Sequence, residues 1–79
     1  MHVKVKLFAS LAAMVPGSIP GSPVDVELPP GSDIRALVSR LNLPEDAPRV
    51  IFVNGRAEGM DRVLHETDEV GMFPPIGGG

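Results

Sequence analysis

The sequence predicts a small α+β domain in which one amphipathic helix packs across a mixed sheet. Three observations carry this. His2 to Phe8 and Val24 to Leu28 alternate apolar and polar residues with a period of two. Ile34, Leu37, Val38 and Leu41 recur at helical spacing. Two further apolar runs, Arg49 to Asn54 and Val70 to Phe73, follow that helix. The 79 residues allow a single domain over 1–79, with no repeat and no internal boundary.

In the first strand Val3, Val5 and Leu7 share one face, while Lys4, Lys6 and Phe8 share the other. Ala9 to Met14 reads as a short helical turn. Pro16 to Pro23 is a loop by its proline and glycine content. In the second strand Val24, Val26 and Leu28 point inward and Asp25 and Glu27 outward, and the two strands are expected to pair antiparallel. Pro29-Pro30-Gly31 breaks that strand. Ser32 is the expected N-cap of the helix, with Asp33 favourable in its first turn. Asn42 and Pro44 end the helix.

Arg49 to Asn54 suits a central strand, and Asn54-Gly55 is a tight-turn signal. A short return strand is expected over Arg56 to Glu58. Asp61 to Thr67 should form a turn that carries Leu64 inward. Val70 to Phe73 is the last strand: with Val70 and Met72 facing the core, Phe73 faces the other way.

Composition excludes several function classes. The chain has no cysteine, so disulfides, thiolate metal sites and cysteine nucleophiles are absent. Any sulfur chemistry must use sulfur supplied by something else. Seven basic residues against ten acidic ones give −3. The basic residues are scattered and there is no Trp or Tyr for base stacking, which argues against nucleic acid. No apolar run approaches the ~20 residues of a membrane span. The alternation after Met1 is not a signal peptide, so a cytoplasmic protein is expected. His2 and His65 lie far apart with no metal-ligand spacing around them, so no metal site is expected. Glu66, Asp68 and Glu69 read as a solvated acidic loop in preference to a docking element.

The most informative segment is Pro74-Pro75-Ile76-Gly77-Gly78-Gly79. Three glycines are costly to order and add nothing to a core. The prolines lack N–H donors and stop a ladder. Residues 76–79 are thus expected to form a flexible tail, and from Pro75 onward an extended chain reaches roughly 16 Å at ~3.3 Å per residue. Such a tail could carry a carboxylate through a narrow channel into a partner's active site. Taken alone, it reads equally well as a linker or a cloning remnant.

Val53-Asn54-Gly55-Arg56, Leu64, Asp68-Glu69-Val70 and Pro74-Pro75-Ile76-Gly77-Gly78-Gly79 resemble the MoaD/ThiS family of ubiquitin-like sulfur carriers, whose pattern is VNGR, a leucine, GDEV and PPxxGG. Motif agreement runs from about Val50 onward. Thr67 stands where the family usually has glycine, which bears on the local turn and not on the tail chemistry. The resemblance implies a ubiquitin-like β-grasp fold. The long connection from Ala9 to Pro23, with Phe8-Ala9 before it, is most like molybdopterin-synthase small subunits, the MoaD branch.

For this chain the resemblance implies that Gly79 is adenylated and converted to a thiocarboxylate, with Gly77 and Gly78 as the slender tail. It also implies two partners. One is an ATP-dependent activating enzyme of the MoaB/MoeB/ThiF-like adenylyltransferase type; the other is a MoaE-like large subunit of molybdopterin synthase. The chain binds no cofactor alone, since ATP belongs to the activating partner. Phe73, Pro74, Pro75 and Ile76 are the expected partner-binding residues. Carriers for thiamine, cysteine, tRNA thiolation or tungsten cofactors look alike at this level. A protein modifier joined to lysines through Gly79, and a β-grasp binding module with inert glycines, also stay open.

Overall fold

The computed structural model describes residues 1–75. The elements in chain order are β1 (His2–Leu7), α1 (Ser10–Ala13), β2 (Pro23–Glu27), α2 (Ile34–Arg40), β3 (Val50–Val53), β4 (Arg56–Ala57) and β5 (Glu69–Phe73). The sheet order is β2-β1-β5-β3-β4. Only the β1–β5 pair is parallel; β1–β2, β3–β5 and β3–β4 are antiparallel. This is the mixed β-grasp architecture expected from the sequence. The last strand lies at the centre, so the chain leaves the sheet from its most enclosed strand.

Alternation decides which face is covered. Val3, Val5 and Leu7 on β1, Val70 and Met72 on β5, and Ile51 and Val53 on β3 are all buried. Ile34, Leu37, Val38 and Leu41 on the helical stripe join the same core cluster. Leu64 joins it as well, from the turn expected to carry it inward. The apolar run of β3 is not covered on both faces: Val50 is 38% exposed and Phe52 half-buried on the opposite side.

The cap of α2 differs from expectation. Asp33, not Ser32, is the N-cap: it is extended, and its carboxylate accepts from the Ala36 N–H at 2.9 Å. Ser32 is taken by the preceding turn, where its N–H and hydroxyl both donate to the Pro29 carbonyl. Two capping-competent residues stood side by side, and the turn used the first. At the other end Asn42 adopts φ 59. The N–H of Leu43 reaches the Val38 carbonyl and that of Asn42 the Ser39 carbonyl. This is a Schellman ending with asparagine in the left-handed position.

The connection from β1 to β2 is better packed than its composition suggests. Leu11, Ala12 and Val15 are buried in the core, and the Gly21 N–H donates to the Leu7 carbonyl at 2.9 Å. A four-residue helix thus adds a second apolar lid beside α2.

Candidate functional site

The site is built around the exit of β5. Both sides of that exit are held by hydrogen bonds. The Phe8 N–H donates to the Met72 carbonyl at 3.1 Å, and the Arg49 N–H donates to the Phe73 carbonyl at 2.7 Å. Pro74 and Pro75 follow without donors, and pairing stops there. Gly77, Gly78, Gly79 and Ile76 lie outside the described residues.

Phe73 faces away from the core, as the alternation required. Its ring stacks on Phe8, with centroids 4.3 Å apart and planes 2° apart. Phe52 meets it edge-on at 5.9 Å. Phe73 was expected to be a partner-binding residue. The rings do cover one another, yet Phe8, Phe52 and Phe73 all stay half-buried. Their grouping was not legible in the sequence, because it joins Phe52 on β3, Phe73 on β5 and Phe8 just past β1, and β1 and β3 meet only through β5.

These rings border a shallow cavity of about 380 Å³ on the uncovered face. Lys4 and Lys6 from β1 and Glu69 and Gly71 from β5 complete its wall and floor. A Cβ at Gly71 would meet Phe8 Cε2 at 3.6 Å, an ordinary contact. The missing side chain therefore opens the floor and does not relieve a clash. Lys4 is paired with Asp25 at 3.6 Å. The result is an apolar cleft with a mixed charged rim, immediately upstream of the tail.

The other end of β5 is fixed by polar groups. Asn54-Gly55 makes the β3–β4 turn with φ 52 and φ 83, the left-handed pair that a type I′ hairpin needs. The Asn54 side chain then bridges to β5. Its Nδ2 donates to Asp68 Oδ1 at 2.9 Å, and its Oδ1 accepts from the Glu69 N–H at 3.0 Å. Asp68 also accepts from the His65 N–H at 2.8 Å, with Arg62 and His65 side chains at 3.9 Å.

The expected solvated acidic loop therefore fails at Asp68, which is 8% exposed. Burial alone would raise its pKa. The bonds from Asn54 and His65, and the charge of Arg62, outweigh burial and hold it below the usual carboxylate range. Glu66 instead accepts from the His2 N–H, and Glu69 stays exposed. Thr67 takes φ 69 beside them, where a β-branched residue is strained. Among the described residues no group of three His, Cys, Asp or Glu side chains could hold a metal ion. No helix there is long and apolar enough to cross a membrane.

A central last strand, one covering helix on a mixed sheet and a β5 exit beside an open cleft define a ubiquitin-like β-grasp protein. The ThiS family matches residues 5–79, and the chain belongs to that family of ubiquitin-like sulfur carriers. Among solved structures it is similar to SAMP1 from Haloferax volcanii, with 25% identity and a TM-score of 0.71 over 100% of both chains. A structure from Pyrococcus furiosus, provisionally assigned as molybdopterin converting factor, subunit 1, is 32% identical with a TM-score of 0.70. That match covers 96% of this chain and 99% of the other. A ubiquitin-like protein from Caldiarchaeum subterraneum shares the fold at 22% identity and a TM-score of 0.54, over 99% of this chain and 100% of its own. No curated protein matches the chain.

Proposed function

We propose that this chain is the sulfur-carrying small subunit of a molybdopterin synthase. Gly79 carries the reacting carboxylate. A C-terminal carboxyl has a pKa near ~3.5 and is ionised at neutral pH, which makes it a poor electrophile. An ATP-dependent adenylyltransferase partner joins it to AMP and releases pyrophosphate. A sulfur donor then displaces AMP and leaves a terminal thiocarboxylate. That group enters a MoaE-like large subunit and gives its sulfur to the pterin precursor. No acid, base or metal is required of this chain, which supplies reach and docking.

The observation that carries this reading is the exit of β5: a strand fixed on both sides delivers Pro74-Pro75 beside the Phe8, Phe52 and Phe73 cleft. Phe73, Pro74, Pro75 and Ile76 are the proposed partner contacts, with Gly77 and Gly78 giving close approach. The similarity to the Pyrococcus furiosus structure supports the molybdopterin branch. Intact-mass measurement of the protein purified from its own cells tests the reading. A mass gain equal to one oxygen replaced by sulfur is expected, and loss of the large subunit should make that form accumulate. A persistent carboxylate under all growth conditions would contradict it.

A second reading has its own support. The Haloferax volcanii small archaeal modifier protein 1 is 26% identical over 95% of this chain, with a TM-score of 0.69. In that reading activated Gly79 is joined to lysines of other proteins, and ladders of larger conjugates would appear instead.

A further inference from the structure

The chain has two lysines, Lys4 and Lys6, and both stand exposed on the open side of β1. Its other five cationic side chains are arginines, at 35, 40, 49, 56 and 62. A guanidinium stays charged and does not serve as an acyl acceptor at neutral pH. Every side-chain amine on the molecule therefore lies on the wall of the cleft that Phe8, Phe52 and Phe73 border.

The two lysines are not equivalent. Lys4 Nζ is engaged by Asp25, and Lys4 lies level with Glu69 across β5. Lys6 lies between Pro23 on β2 and Gly71 on β5, neither of which carries charge. Among the described residues Lys6 forms no ion pair. Lys6 and Gly71, level with each other on β1 and β5, both line the cleft.

We propose that Lys6 is an acyl-acceptor site: it receives the activated C-terminal glycine of a second copy of this chain. The inference rests on the modifier reading. In the step, the neutral Lys6 amine attacks the carbonyl carbon of the second copy's acyl-adenylate. An amide C–N bond forms, the bond from the acyl carbon to the AMP oxygen breaks, AMP leaves, and the amine's proton passes to solvent. The acceptor copy then carries its neighbour on the face next to its own tail. Conjugation at Lys6 thus withdraws that copy from docking.

The test incubates the full chain with its activating enzyme and ATP. Parallel samples contain hydroxylamine, which traps the activated tail, or a lysine-containing peptide as a competing acceptor. The linked dimer is measured per acyl-adenylate formed, and the isopeptide position is mapped by fragmentation. A dimer linked at Lys6 is expected, mostly lost in Lys6→Arg and retained in Lys4→Arg. The acceptor copy in the purified dimer should not be adenylated again. An added peptide acylated without any Lys6 link, or a dimer undiminished in Lys6→Arg, would overturn the Lys6 assignment alone. Hydroxylamine trapping with neither peptide nor Lys6 acylated would overturn the modifier reading together with it.

Discussion

The two faces of the sheet are built from the same strands and are packed in opposite ways. On the covered face Val3, Val5, Leu7, Val53, Val70 and Met72 are 2% exposed or less, under α1 and α2. On the open face the intervening residues are Lys4, Lys6, Phe52, Gly71 and Phe73, and the Phe8 ring stacks on Phe73 beside them. A period of two separates the packed residues from the open ones along each strand, and the proposed function gives the open ones to recognition. Changes on the first face should therefore unfold the molecule, and changes on the second should mainly cost binding.

The largest expected effect lies on the covered face. Leu37→Ala and Val53→Ala should each cost roughly 2–4 kcal/mol by denaturant titration, a large share of a small domain's stability. Losses near zero for both would remove the contrast between the faces.

On the open face, Phe73→Ala should weaken binding to the activating enzyme or the large subunit by ~2 kcal/mol, the scale of an aromatic anchor. Its stack with Phe8 sets a smaller stability cost, about 0.5–1.5 kcal/mol beyond the area lost. Titration of both partners alongside a thermal melt separates the two. A mutant that binds normally but melts far lower would make Phe73 a structural residue and shift recognition elsewhere.

Asp68 tests the junction between the faces. Its pKa is depressed in the fold, so its contribution is full above the unfolded carboxylate's ordinary value. That contribution is lost as pH falls from there through the lower folded value. Asp68→Asn should flatten the stability profile in this acidic window and lower stability at neutral pH by about 1–3 kcal/mol. An unchanged acid limb would mean the Asn54 and His65 bonds do not hold the charge.

The strands, the helical stripe and the opposed direction of Phe73 were legible in the sequence, because alternation and helical period are local. The family was legible through the motifs from Val53 to the terminal glycines. What escaped was set by tertiary pairing. The Phe8–Phe73 stack depends on the parallel β1–β5 register, which no local pattern encodes. The burial of Asp68 depends on Asn54, 14 residues away. Val15, between the expected helical turn and the expected loop, was assigned to neither, yet it is buried. The choice between Ser32 and Asp33 as cap turned on which residue closed the Pro29 turn.

Separation of fold from tail is tested most directly by deleting Gly79 and measuring two things on one preparation: the melting temperature, and ATP-dependent adenylation by the activating enzyme. The melting temperature should stay nearly unchanged, since β5, the last strand among the described residues, ends at Phe73, and adenylation should be abolished. A deleted protein that still forms an acyl-adenylate would contradict Gly79 as the reacting residue, and one that melts far lower would contradict a tail separate from the fold.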